Sequence, residues 1–157
     1  MLKKYLFIFF LSMVPVIELR GAIPFAVNWE LDYWTALTVC AIGNMLPVPF
    51  IYFFARKILH WGADKKYIGK FFRFCIEKGV HGGQKLMKRA GRGGLFVALM
   101  LFVGIPVPGT GAWTGTLAAS LLNMGIRSTV TAVSLGVVIA GIIMGVASTG
   151  VFSIFGI

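Results

Sequence analysis

Apolar residues fall into four long blocks along the chain, and the polar residues that interrupt them are few and clustered. A helix needs about 20 apolar residues to cross a hydrocarbon core about 30 Å thick, so each block is long enough to be read against a membrane. The first runs from Tyr5 to Val27 and is broken by Glu18, Arg20, Gly21 and Pro24; the second runs from Tyr33 to Ala55, with Asn44, Pro47 and Pro49 weakening its middle. The third, Leu95 to Leu122, contains GIPVPGTG, and the fourth, Ser128 to about Gly150, is rich in Gly, Ala and Ser. Small residues let helices approach closely in lipid, so the fourth block is expected to pack against other helices.

Blocks one and three can each be drawn as one crossing helix or as a hairpin that enters and leaves on the same side. The interruptions favour hairpins. A helix from Leu95 to Gly104 would be about 15 Å long, half the core, and would end in the middle of the bilayer. GIPVPGTG cannot be helical throughout, because Pro106 and Pro108 lack N–H donors and Gly109 and Gly111 permit left-handed geometry. Backbone freed at that depth must face protein or a wet cavity. The competing reading is a Pro-kinked crossing helix, which would give four spans.

The chain is 58% hydrophobic with a mean hydropathy of +0.87, which excludes a soluble globule of 157 residues. A net charge of +10 would suggest nucleic-acid binding in a soluble protein, but here it is local. Residues Arg56 to Arg92 hold eleven of the fifteen Lys and Arg against only Asp64 and Glu77. That pattern predicts a cytoplasmic linker by the positive-inside rule, with anionic inner-leaflet headgroups as partners and no nucleic acid. Within it, DKKYIGKFFRFCIEKG predicts a helix capped by Asp64 and ending near Gly79, with Ile68, Phe71, Phe72 and Cys75 opposite Lys66, Lys70, Arg73 and Glu77. A solvated basic face that only fixes topology is the plainer reading.

Lys3 and Lys4 before an apolar run resemble a signal peptide, but no small-x-small site follows, so the segment is expected to stay in the mature chain. Cys40, Cys75, His60 and His81 lack metal or redox spacing, and no nucleophile with a base or P-loop occurs. No metal, no cofactor and no enzymatic activity are expected.

PVIELRGA at Pro15 to Ala22 can be set against PVPGTGA at Pro106 to Ala112 with one gap, each followed by a short polar connection and a full apolar span. The expected fold is therefore all-α integral membrane, an inverted repeat of re-entrant helical hairpin plus transmembrane helix. Residues 1–55 form the first half, 56–92 the linker and 93–157 the second half, all within one membrane domain.

ELRGAIP, the ensuing NWELD and the later FVGIPVPGTGAWTGTLAA together resemble the small multidrug export protein family, over nearly the whole chain. That family is distantly similar to the DedA, or VTT-domain, superfamily. The resemblance implies two opposed re-entrant hairpins and a role in moving lipids or lipid phosphates such as undecaprenyl phosphate. The sequence departs from the DedA pattern in being shorter and in lacking an arginine within the PVPGTGAWTG tip.

A charged side chain at helix centre costs about 2.5–3.5 kcal/mol on insertion scales, so Glu18 and Arg20 invite a functional reading. Arg20 offers a planar fork for phosphate or carboxylate, and Glu18 is a candidate proton carrier. The second tip offers backbone amides at Gly109, Thr110, Gly111 and Ala112, hydroxyls at Thr110 and Thr114, and a helix N-terminus near Ala112, which hold anions without formal charge. Gly21, Pro24, Pro106 and Pro108 are the expected hinges. In the structural alternative, Glu18 and Arg20 pair with each other or with backbone carbonyls purely to stabilise the hairpin. Trp113 either shields the site or packs, and Asn44 is expected to contribute one hydrogen bond.

These residues predict a small inner-membrane, multi-pass transporter or flippase for an anionic or lipid-phosphate substrate, proton-coupled through Glu18. The rivals are a proton-coupled exporter of cationic drugs and a nontransporting membrane scaffold. A chain this small with a two-tip cavity is also expected to form a homodimer.

Overall fold

The computed structural model describes residues 1–15, 17–64, 69–107 and 110–155, and every regular element among them is an α-helix. Helices α1 (Leu2–Met13) and α2 (Glu18–Asn28) have 12 and 11 residues, about half of what a bilayer core requires. They lie antiparallel: the Phe7 ring meets Phe25 at 5.9 Å and Trp29 at 5.3 Å between centroids, and Lys4 Nζ sits 5.8 Å from the Trp29 ring.

The turn joining them falls around Pro15, upstream of the hinge expected at Gly21 and Pro24. Both of those residues lie inside α2. Pro24 removes only the bond that its missing N–H would give the Arg20 carbonyl, and the other bonds carry the helix through. Gly21 serves packing at the turn, since a Cβ there would lie 2.4 Å from Ile17 Cγ2.

Helices α3 (Tyr33–Met45) and α4 (Val48–Ala63) are interrupted at Leu46 and Pro47, yet Tyr33–Phe54 forms one apolar stretch of 22 residues, long enough to cross a membrane. Asp32 starts it by accepting from the Thr35 hydroxyl (2.6 Å) and amide (2.8 Å), which hold the Asp32 carboxyl below the usual carboxylate range. Asn44 is buried, and its Oδ1 has no partner among the described residues, so the hydrogen bond expected of it is not formed there.

Helix α5 (Gly69–Gly104) does not stop near Gly79 as the glycines suggested. A glycine in a helix interior costs only about 1 kcal/mol relative to alanine, which neighbouring turns absorb. The break comes at Gly91, where φ is 63° and ψ −165°, a conformation other residues adopt only under strain. Asp64 is exposed just past the end of α4, and residues 65–68, over which the helix it was expected to cap would begin, lie outside the described residues, as do the side chains of Phe71, Phe72 and Cys75. The arm Gly91–Gly104 is followed by α6 (Ala112–Leu121), which folds back so that Gly115 meets Val103 and Leu99. Helix α7 (Ile126–Phe155) includes a second apolar stretch of membrane length, Ile126–Gly150.

Small residues on α7 set how closely the rest can approach. A Cβ at Gly136 would lie 2.7 Å from both the Met100 carbonyl oxygen and Val103 Cβ, and one at Gly141 would lie 2.2 Å from Leu37 Cδ1. Tyr33 Oη donates to the Gly141 carbonyl (3.0 Å), Ser134 lies against Met45, and Tyr52 Oη donates to the Met124 carbonyl. These contacts make α3 and α7 antiparallel. Tyr52 of α4 and the start of the Gly91–Gly104 arm lie with the α6–α7 turn on one face, hereafter the linker face. Outward-facing Trp34, Phe50, Phe53 and Val146 are exposed, a surface suited to lipid. Because backbone and a branched side chain meet at Gly136, Gly136→Ala should destabilise the detergent-solubilised chain by about 1–3 kcal/mol, read as a lower unfolding midpoint.

Candidate functional site

The two short helix pairs meet end to end, and the two charges of ELRGAIP make the junction. Glu18 is the first residue of α2, buried, with φ at +50°, a left-handed conformation that costs a non-glycine residue about 1–2 kcal/mol. That geometry accompanies a carboxylate directed at α6 rather than along its own helix. Its two oxygens accept from the Ala112 amide (3.3 Å) and the Trp113 amide (3.1 Å), the first orphan donors of α6. A carboxylate at a helix N-terminus also meets the positive end of the helix dipole.

Gly111 makes this approach possible. A Cβ there would lie 2.1 Å from Glu18 Oε2, so only hydrogen fits between the two tips. The Gly111 amide donates instead to Thr114 Oγ1 (3.0 Å), which completes the first turn of α6. Gly111→Ala should push the carboxylate off the Ala112 and Trp113 amides and cost about 2 kcal/mol, observable as a lower unfolding midpoint.

Arg20 lies two residues on and turns to the other end of the same break. Its guanidinium donates to the carbonyls of Val103 (3.2 Å), Ile105 (3.1 Å) and Val107 (2.5 Å), and to Thr110 Oγ1 (3.0 Å). Those carbonyls are the acceptors left where the Gly91–Gly104 arm ends. Glu18 and Arg20 therefore divide the opposing gap between them: the anion takes the amides and the cation takes the carbonyls.

Of the expected site residues, the structure brings Glu18, Arg20, Thr110, Gly111, Ala112 and Thr114 together. The amides of Ala112 and Trp113 are occupied by Glu18, and Thr110 accepts from Arg20. Pro106 lies in the turn, while Pro108 and Gly109 fall outside the described residues. Sequence reasoning missed the Trp113 amide as a ligand of Glu18; for Arg20 its structural alternative included backbone carbonyls, and the structure supplies those of Val103, Ile105 and Val107. The signal was available in the backbone rule that a broken helix exposes amides at one end and carbonyls at the other. The Trp113 indole Nε1 is buried and has no acceptor among the described residues.

With every regular element among the described residues a helix, two apolar stretches of membrane length, and charges held where short helices meet, the chain is a small helical membrane protein. The family model described as "Putative small multi-drug export protein" matches residues 18–143, and the chain belongs to that family. The match begins at Glu18 and contains Arg20 and the second tip. No curated protein and no solved structure matches the chain.

Proposed function

We propose that the protein is a proton-coupled transporter or flippase for an anionic substrate, a lipid phosphate in particular, and that it performs no covalent chemistry. In this reading the two short pairs are re-entrant hairpins of an inverted repeat, meeting near the midplane of the inner membrane, with residues 56–92 in the cytoplasm. The distant similarity to the DedA superfamily is what selects undecaprenyl phosphate among lipid phosphates. Two copies would complete the path as a homodimer.

The observation that carries the proposal is the cradle of α6 amides closed around the Glu18 carboxylate. A site that holds one anion by backbone donors can hold another in its place. Protonating Glu18 removes its charge and weakens its hold on the amides. A substrate phosphate can then replace it, with the Arg20 fork as a further donor. Deprotonation returns Glu18 to the amides and expels the substrate. Proton and anion are bound in the same state, so they move in the same direction.

A second reading rests on the family description and on an apolar groove of about 470 Å³ between α3 and α7, lined by Ile42, Met45, Leu46 and Val138. Such a groove suits a lipophilic drug entering from lipid. In that reading Glu18 binds proton and cationic drug alternately, and the two move in opposite directions. The Arg20 charge beside Glu18 opposes a cationic substrate.

The test is reconstitution in liposomes under an imposed pH gradient, with a fluorescent polyprenyl phosphate in one arm and ethidium in the other. Lipid-phosphate movement toward the side into which protons flow supports the proposal. Ethidium movement against the proton flow, with no lipid-phosphate movement, replaces it with the drug exporter.

A further inference from the structure

A second concentration of positive charge lies on the linker face, away from the Glu18 and Arg20 junction. A cavity of about 420 Å³ opens there, lined by Arg92, Asn123, Arg127 and Ser128 over a floor that includes Leu95 and Met124. Arg92 follows the break at Gly91, so it begins the helical arm that runs to Gly104. Arg127 is the second residue of α7. The arm and α7 both start at this face and run away from it, so two positive helix ends and two guanidiniums converge on one opening. No acidic residue lines it. Thr129, one residue beyond Ser128, is fully buried, and its hydroxyl has no partner among the described residues.

Each guanidinium is exposed and forked, the geometry that takes phosphate oxygens in pairs. Leu95 belongs to the arm and Met124 to the turn just before the membrane-length apolar stretch Ile126–Gly150, so the opening lies at the end of that stretch, where a headgroup would sit. A volume of this size holds a phosphate together with a small attached group. We infer that this cavity is a binding site for a phosphate group of net negative charge, one with no cation attached to it, with Arg92 and Arg127 as its two clamps and Asn123 and Ser128 as neutral hydrogen-bonding partners. The site requires no transport and is read by binding alone, so its success or failure is separate from that of the transport proposal.

The experiment titrates the purified full chain in a non-ionic detergent with three probes: dihexanoyl phosphatidylglycerol, dihexanoyl phosphatidylcholine and inorganic phosphate. Binding is followed by calorimetry and by the shift in unfolding midpoint. The expected result is binding of the anionic lipid that falls tenfold or more in Arg92→Gln/Arg127→Gln. It should persist in Lys85→Gln/Lys88→Gln, which removes the same charge from exposed linker positions. Arg92→Lys/Arg127→Lys should keep the charge and recover only part of the affinity. Phosphatidylglycerol binding without phosphate binding assigns the site to a lipid headgroup; competition by inorganic phosphate at similar affinity assigns it to free phosphate. Equal binding by wild type and Arg92→Gln/Arg127→Gln overturns the inference, and so does an equal loss in the two double variants or equal binding of both lipids.

Discussion

Arg20→Ala is expected to abolish transport and also to loosen the fold, because one guanidinium serves both the site and the packing of the two helix pairs. It donates to three carbonyls and a hydroxyl of the second helix pair across 83 to 90 residues of sequence. Ile105 and Val107 keep backbone donors, from the amides of Val107 and Thr110, so alanine does not orphan every acceptor. The cost should therefore be about 3 kcal/mol, the scale for removing a partly buried charge from its hydrogen-bonding partners. The unfolding midpoint in detergent measures it. Arg20→Lys separates the two roles. Lysine restores a positive charge and one or two of the donated bonds, so the fold should recover most of its midpoint. A point charge cannot reproduce the planar fork toward both backbone and substrate, so transport should stay at least tenfold down. Wild-type transport rates in Arg20→Ala would remove this residue from the site.

Much of the local structure was legible because prolines and glycines act within a few residues of themselves. GIPVPGTG ends one helix at Gly104 and lets the next start at Ala112, and Pro47 divides the second apolar block. Where the reading failed, composition was ambiguous at short range. Gly79 and Gly91 look alike in sequence, yet only Gly91 takes positive φ, because what decides is where the chain must change direction on meeting the helix bundle. Pro24 and Pro15 are likewise both prolines near a charge pair. The turn goes to Pro15 because α2 must carry Glu18 and Arg20 on its first turn to reach the other tip.

The candidate site was legible as a set of residues but not as a set of bonds. An acid and a base two positions apart suggest a local ion pair, and the structural alternative is that they pair with each other or with backbone carbonyls. Their actual partners lie 94 residues away for Glu18 with Ala112 and 87 for Arg20 with Val107, and nothing in either segment encodes the distance. Gly111 carries the one local trace of the contact. A glycine before a helix start reads as turn chemistry, whereas here its missing Cβ is the space that the Glu18 carboxylate fills.

Glu18→Gln is expected to uncouple transport from pH while leaving substrate exchange in place. Glutamine is nearly isosteric and keeps one carbonyl oxygen for the amides of Ala112 or Trp113. Its NH2 group then faces the other amide, donor against donor, and the charge that favoured the helix N-terminus is gone. That loss should cost about 1–2 kcal/mol of stability, less than Arg20→Ala, since the packing around the side chain is unchanged. A permanently neutral side chain at this position mimics the protonated state in which the cradle is open to substrate. Counterflow of labelled for unlabelled polyprenyl phosphate across liposomes should therefore continue within about fivefold of wild type, while accumulation driven by a pH gradient falls to background. Glu18→Ala serves as the control for size, because it removes the oxygen as well and should reduce both. Two results would defeat the scheme. Retained pH-driven accumulation in Glu18→Gln would mean that the proton travels elsewhere, and ethidium efflux lost in Glu18→Gln but kept in Arg20→Ala would make the carboxylate a cation site. The second outcome is physically coherent, since a carboxylate released from two amides is a competent ligand for a lipophilic cation. It requires the guanidinium to stay committed to the Val103, Ile105 and Val107 carbonyls throughout the cycle, and that commitment is what Arg20→Lys reports.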